Sequence, residues 1–185
     1  MPSVSKIHRD IHKYATKCAY EIRNREVEFA KGLRLNSNLD KILAESALVK
    51  GTKYEVDYNV IDSPKDILTH NHPDIPNTCT ELSLQDITLA TYRDIKKIYA
   101  ATKDGYTSMD MTTVKKSLSK DKMLEWIFAK AKILTIEKLR RNNYGQKHYQ
   151  TIRDFAKYTG ATFSEVKWSD YDKVKTKGLQ NGKRK

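Results

Sequence analysis

Thiols and long apolar runs are scarce in this chain of 185 residues. The two cysteines, Cys18 and Cys79, allow one pairing, which defines no disulfide framework, so we expect both to be free thiols. Cysteine pairs with metal-site spacing are missing, which excludes the common thiolate-based structural zinc sites. Lys130 and Lys132 interrupt the longest strongly apolar stretch, residues 127–136, which falls far short of the roughly 20 residues that a bilayer requires. No transmembrane helix and no membrane partner are therefore predicted.

Acidic residues are few for the number of basic ones. Lys and Arg total 35 against 23 Asp and Glu, which gives a formal charge of +12. Most of the excess lies in residues 130–185, where 15 basic residues face 5 acidic ones. This distribution favours nucleic acid or an acidic protein as a partner of the C-terminal region. Residues 1–20 carry charges throughout and hold no continuous apolar segment of a signal peptide, so we expect a cytoplasmic protein.

The pattern of apolar residues predicts the elements of the first half. With 38% hydrophobic and 31% charged residues, the composition is typical of a globular core. Apolar spacings of three and four predict an amphipathic helix over residues 4–22, and a looser alternation predicts a bent strand over residues 25–36. Residues 39–48 fit a helix and a strand equally well. Alternation predicts further strands over residues 54–60 and 66–69.

In the second half a helix should begin at Ser83, because apolar residues recur at helical spacing as far as Tyr99. The later elements predicted are a strand over residues 106–111, a helix over 122–141 that stops at 142–145, a helix over 149–158 and an extended segment over 162–168. The expected fold is one α/β (α+β) domain with a mixed, mostly antiparallel sheet flanked by helices. Its parts would be an N-terminal helix (1–24), a core (25–118), a basic helical extension (119–172) and a flexible basic tail (173–185).

The chemical signal of the sequence is a pair of histidines at the end of a predicted strand. His70 and His72 are two residues apart, so in an extended backbone both imidazoles lie on one face and can bind one metal ion. Asp86, in the first turn of the following helix, is the best candidate for a third ligand. Two histidines, one carboxylate and an open position for water are typical of a catalytic zinc site.

Each of these residues also has an ordinary structural interpretation. Ser83 and Asp86 suit the start of a helix, with Ser83 as the N-cap and Asp86 near the positive end of the helix dipole. A His-x-His pair by itself is a weak metal signal. His8 and His12, four residues apart on the first helix, make a weaker pair, and we expect them to face solvent.

The order and spacing of these residues resemble the signature of the JAMM (MPN-type) metalloprotease family. The matching residues are the segment 69–73, which reads Thr-His-Asn-His-Pro, and the segment 82–87, in which Ser83 precedes Asp86 by three. The chain is also similar to the JAMM-like domains of phage head-morphogenesis proteins and bacterial polymorphic toxins, in which a helix and a Tyr-containing strand follow the aspartate. The loop of ten residues between His72 and Ser83 is longer than the compact spacing usual in the family.

The resemblance implies a role for each matching residue. His70, His72 and Asp86 would bind Zn²⁺, and Ser83 would donate a hydrogen bond to the oxyanion. The family also uses an upstream glutamate as general base, and Glu28 suits this role best. Glu26 is the second choice and Glu55 the third. A phage origin would place the protein in the host cytoplasm.

Three functions are therefore open. The first is a zinc-dependent hydrolase of JAMM type that cleaves a peptide or isopeptide amide bond through metal-activated water. The second is a catalytically inactive JAMM-like fold that acts as a nucleic-acid-binding or virion-associated module. Its candidate basic residues are Arg140, Arg141, Lys147, Arg153 and Lys157. The third is a metal-dependent nuclease that uses Asn71 and His72, and it ranks last because further histidines or asparagines at nuclease spacing are missing.

Overall fold

The computed structural model describes residues 9–58, 66–74, 81–139 and 144–171. Within them, one sheet of seven strands carries helices on both faces. The helices are α1 (Arg9–Ile22), α2 (Leu84–Tyr92), α3 (Lys120–Leu139) and α4 (Tyr144–Thr159). The strands are β1 (Phe29–Leu35), β2 (Ile42–Glu45), β3 (Val49–Lys50), β4 (Ile67–Asn71), β5 (Lys97–Ala101), β6 (Gly105–Asp110) and β7 (Thr162–Lys167).

The strand order across the sheet is β2-β1-β4-β5-β6-β7, and β3 also pairs with β1. Only β4 and β5 pair in parallel among these strands, and the other pairings are antiparallel. Parallel neighbours need a crossover, which here contains α2. The prediction of a mixed, mostly antiparallel sheet flanked by helices is therefore confirmed.

The sheet separates two apolar layers. Successive side chains of a strand point to opposite faces, so in β5 the side chains of Ile98 and Ala100 pack in the layer of α2, α3 and α4. Tyr99 and Ala101 pack on the other face, against α1. All five residues of β5 are buried as a result. Cys18 is a buried free thiol in the α1 layer, whereas Cys79 lies outside the described residues.

The predicted helix from Ser83 to Tyr99 is too long. α2 ends at Tyr92, Asp94 adopts the left-handed conformation with φ 55°, and β5 begins at Lys97. A strand that is buried on both faces is a continuous apolar run, and over five residues such a run also fits a helical period. Tertiary burial, rather than the local pattern, decides that Lys97–Ala101 is a strand.

The predicted strand over residues 54–60 is also wrong for its described part, because residues 54–58 belong to no strand. The Thr52 backbone N–H donates to the Glu55 carbonyl at 2.8 Å, which closes a turn at the point where the strand was expected. Residues 59 and 60 lie outside the described range. Residues 39–48, which were left open, contain the strand β2.

The C-terminal region is not purely helical, because β7 completes the sheet. All six residues of β7 pair with β6, so the region predicted as a helical extension contributes an edge strand to the sheet in addition to the helices α3 and α4. The predicted stop at residues 142–145 is wrong at Tyr144 and Gly145, which are the first two residues of α4. The predicted basic tail, 173–185, lies outside the described residues. None of the described helices combines the length and the apolarity that crossing a bilayer requires.

Candidate metal centre

Two histidines leave the C-terminal end of β4 toward the face covered by α2. His70 is the fourth residue of this five-residue strand and is fully buried. His72 follows the strand and remains extended, because its backbone N–H donates to the Ala101 carbonyl of β5 at 2.8 Å. The alternation of an extended chain therefore places both rings on one side, with Asn71 directed to the other.

Asp86 reaches the histidines from the first turn of α2. Ser83 is the N-cap: its Oγ accepts the Asp86 backbone N–H at 3.1 Å, and its own N–H donates to Asp86 Oδ2 at 2.7 Å. This reciprocal capping box fixes both the start of the helix and the rotamer of the carboxylate. The segment before it is anchored to β6, since the Leu82 N–H donates to Thr107 Oγ1 at 2.9 Å. The structural role of Ser83 and Asp86 and their position in the site are thus compatible.

The three side chains converge on one point. His70 Nε2 lies 3.0 Å from His72 Nε2 and 3.1 Å from Asp86 Oδ1, and His72 Nε2 lies 3.5 Å from Asp86 Oδ2. Zinc-ligand distances of about 2.0–2.1 Å place neighbouring ligand atoms of a tetrahedral site about 3.3 Å apart. Two of the observed separations lie slightly below this value and one slightly above it, and the two histidines face different oxygens of the carboxylate. The donor set of two imidazoles and one carboxylate suits a divalent transition metal. His70, His72 and Asp86 could therefore hold a metal ion.

The electrostatics of the three groups are strongly coupled. Burial alone would raise the pKa of Asp86, but His70, His72 and the Ser83 backbone lower it below its ordinary value. Burial likewise opposes protonation of His70, yet Asp86 and Glu28 raise its pKa above the ordinary value. Metal ligands must be deprotonated, so a metal ion and protons compete for this buried anionic position.

Glu28 approaches the same position from the strand on the other side of β4. It directly precedes β1, and since Ala30 pairs with His70, Glu28 is two residues further along the pairing, opposite His72. The Glu28 backbone N–H donates to the Thr52 carbonyl at 2.7 Å, and its carbonyl accepts the Gly51 N–H at 2.8 Å. Its side chain is buried, and burial raises its pKa to about 7, against the lowering effect of His70. The alternatives Glu26 and Glu55 are both exposed.

Asn71 holds this segment in place, a role that sequence reasoning missed. Its side-chain carbonyl accepts the Phe29 backbone N–H at 2.7 Å, and its Nδ2 donates to the Val27 carbonyl at 3.2 Å and the Arg25 carbonyl at 3.4 Å. The amide is completely buried. The available signal was a polar residue in a buried strand, because a buried amide needs hydrogen-bond partners.

Two aromatic side chains near the site were also missed. The ring of Tyr58 lies edge-on to His70, with 6.2 Å between the ring centroids. His148 of α4 is buried, and its Nε2 accepts the Leu84 backbone N–H at 3.3 Å, at the first residue of α2. Burial lowers the pKa of His148, which favours the neutral ring that this acceptor role requires. No sequence pattern pointed to either residue, since both depend on contacts between distant segments.

Two cavities border His72, one of the three metal-ligand candidates. The larger, about 500 Å³, is lined at one side by Glu28, His72 and Ser83 and at the other by residues of α3 and α4. The smaller, about 220 Å³, lies between His72 and the β6–β7 edge of the sheet. The two meet at His72, so an extended chain could pass across the site.

The other predicted residues lie elsewhere. Lys147, Arg153 and Lys157 are exposed on α4, while Arg140, Arg141 and His8 lie outside the described residues. The expectation that His12 faces solvent is wrong. Its Nδ1 is 2.7 Å from the Tyr99 hydroxyl, because α1 packs this side of its surface onto β5.

Comparisons with protein-family models, curated proteins and solved structures return no match to this chain. The site geometry therefore carries the functional argument.

Proposed function

We propose that the protein is a zinc-dependent hydrolase of JAMM type that cleaves a peptide or isopeptide amide bond. The observation that carries this proposal is the convergence of His70, His72 and Asp86, with atom separations of 3.0 to 3.5 Å, beside a buried glutamate. The order of these residues along the chain also resembles the JAMM signature. The two cavities that meet at His72 suit an extended substrate.

The residues around the site divide the chemistry between them. A Zn²⁺ ion held by His70, His72 and Asp86 would polarise the substrate carbonyl and lower the pKa of a water molecule. Glu28, whose pKa is raised to about 7, can accept a proton from the attacking water and return it to the leaving amine near neutral pH. Ser83 Oγ donates to Asp86 Oδ2 at 2.8 Å in this structure, and rotation of its hydroxyl would direct the same proton to the oxyanion.

The decisive experiment measures metal content and hydrolysis together. Elemental analysis should find about one zinc per chain in the wild type, the stoichiometry of a single three-ligand site, and much less in His70→Ala and Asp86→Ala. His12→Asn is the matched control, since it removes a histidine on the opposite face of the sheet. A proteome-derived peptide mixture analysed by mass spectrometry then detects hydrolysis without assuming a substrate.

Loss of cleavage in the two ligand variants, with cleavage retained in the control, would support the proposal. A wild-type protein that takes up no zinc when zinc is supplied would refute it. Stoichiometric zinc without cleavage of any peptide or lysine-linked isopeptide would refute the hydrolase and leave a metal-binding protein.

The second candidate is polyanion binding by α4 in a catalytically inactive protein. Its support is the exposure of Lys147, Arg153 and Lys157 on the side of α4 away from the core. Part of this charge is engaged within the helix, because the Arg153 guanidinium lies 5.4 Å from the Tyr149 ring centroid. Two results would favour this candidate. The affinity for a single-stranded oligonucleotide should fall steeply as salt is added, and the Lys147→Ala/Arg153→Ala variant should bind the oligonucleotide more weakly than the wild type.

A further inference from the structure

The larger cavity carries two cationic side chains that the proposed chemistry does not use. Lys53 lies in the loop after β3, and Lys138 lies in the last turn of α3. Both line the cavity that contains Glu28, His72 and Ser83. They come from different elements, so the cavity brings together two positive charges that are distant in sequence.

Neither lysine has an acidic partner among the described residues. The ion pairs of the described lysines involve other positions, such as Lys31 with Glu45 and Lys120 with Asp94. The Lys138 Nζ lies 5.5 Å from the centroid of the Tyr144 ring, which also lines the cavity. This cation–π contact holds the Lys138 ammonium group against the cavity lining without pairing it with a carboxylate.

The rest of the lining defines what can enter. Ala131 and Leu134 of α3 form an apolar wall, and Glu28 is the one acidic side chain that borders this cavity in the described part of the chain. The two lysines suit a ligand with one carboxylate group, and the apolar wall beside them suits the aliphatic part of the same ligand. A phosphate would carry more negative charge toward the buried Glu28 and Asp86 carboxyl groups.

We propose that Lys53 and Lys138 bind a carboxylate of the substrate, so that the site selects a peptide or isopeptide with an acidic residue beside the scissile amide bond. The assignment of this carboxylate to a substrate rests on the proposed function, whereas its binding does not require hydrolysis. The hydrolysable bond would then lie between the two lysines and His72, within the same cavity.

A binding experiment tests the inference independently of catalysis. The protein carries Glu28→Gln, so that no hydrolysis occurs during the titration. It is titrated with acetyl-Glu-Ala-Glu-amide and with acetyl-Gln-Ala-Gln-amide, and the backbone resonances of His72 and Ser83 are followed by NMR. Because exposed ion pairs contribute little each, we expect the acidic peptide to bind about fivefold more tightly than the neutral one. The preference should shrink as salt is added.

Matched variants assign the preference to these two side chains. The double variant Lys53→Met/Lys138→Met should bind both peptides equally. The control Lys41→Met/Lys116→Met removes the same charge from exposed positions outside both cavities and should keep the preference for the acidic peptide. Circular dichroism checks that each variant is folded. Equal binding of the two peptides by the Glu28→Gln protein would overturn the inference. Tighter binding of a single-stranded oligonucleotide at the same resonances would overturn it too.

Hydrolysis, measured on the same peptides with intact Glu28, separates the two proposals. Zinc-dependent cleavage with equal kcat/KM for acidic and neutral peptides, together with equal binding, would keep the hydrolase and refute the carboxylate site. Preferential binding of the acidic peptide without cleavage of either would refute the hydrolase and keep the carboxylate site.

Discussion

The side chain of Asn71 and the backbone of Phe29 are joined through a buried hydrogen bond of 2.7 Å, directly beside Glu28. Asn71 lies between His70 and His72 in sequence, yet its side chain bonds the backbone of residues 25–29 instead of joining the candidate metal centre. One tripeptide therefore supplies both candidate metal-ligand histidines and the anchor for the segment that carries the candidate general base.

Asn71→Ala should impair stability and hydrolysis without removing the metal. The substitution leaves buried backbone groups near Val27 and Phe29 unsatisfied, so the free energy of unfolding should fall by about 1–3 kcal/mol. Glu28 would lose its fixed position, and kcat should fall while zinc content stays at the wild-type level. Urea denaturation, steady-state kinetics and elemental analysis measure the three effects. Asn36→Ala, at a half-buried turn position, is the control and should change only stability.

Ser83 has two roles that different substitutions separate. Ser83→Ala removes the N-cap of α2 and should lower the free energy of unfolding by about 1 kcal/mol, whereas Ser83→Gly should lower it by only a few tenths. Both variants lack the hydroxyl, so both should reduce kcat by a similar factor, about 10²-fold if the hydroxyl stabilises the oxyanion. If kcat instead falls more in Ser83→Ala than in Ser83→Gly, in step with the loss of stability, Ser83 acts only as the N-cap.

Glu28→Gln should strongly reduce hydrolysis while sparing the metal. A buried glutamine fits the same space but cannot carry a proton between water and leaving amine, so kcat should fall by about 10²–10⁴-fold. Zinc content should not change, since the three ligand candidates are untouched. Glu26→Gln, two residues earlier and exposed, is the matched control. If Glu26→Gln is the variant that loses activity, the assignment of the general base is wrong.

The stability of the protein should depend on pH through His12. Burial, followed by the positive charge of Lys97, lowers the pKa of His12 to about 4, against the raising effect of Asp110. An unfolded chain with an ordinary histidine binds a proton between pH 6.5 and 4 that the folded protein does not bind. The contribution of neutral His12 to the free energy of unfolding should therefore be complete above pH 6.5 and decrease as the pH is lowered toward 4.

Thermal unfolding of the wild type and His12→Asn from pH 7 to pH 4 measures this contribution. The asparagine can keep a hydrogen bond to the Tyr99 hydroxyl but does not titrate. Its stability should change less over this range than that of the wild type, by roughly 1–3 kcal/mol. Parallel curves for the two proteins would show that His12 contributes nothing to the pH dependence.

Local chemistry made some parts of the fold predictable and left others undetermined. The helix start at Ser83 follows from side chains that bond their own neighbouring backbone, and β4 follows from a short apolar run that ends in polar residues. The first part of β5, as far as Tyr99, is predicted as helix because the strand is buried on both faces and shows no alternation. The expected strand at residues 54–58 failed because alternation alone cannot guarantee a pairing partner.

The sequence by itself determined the residue types and spacing of the candidate site, because His70 and His72 lie in one short segment and Ser83 and Asp86 in another, and the conformation of each segment is local. Tertiary packing of α2 against β4 brought the two segments together. Only the tertiary structure decided which glutamate reaches them, since Glu28 is positioned through pairing of β1 with β4 and through Asn71. It also decided the walls of the cavity, where His148, Lys138 and Lys53 come from three separate segments. Contacts between distant segments depend on how whole layers pack, and no local pattern of residues encodes them.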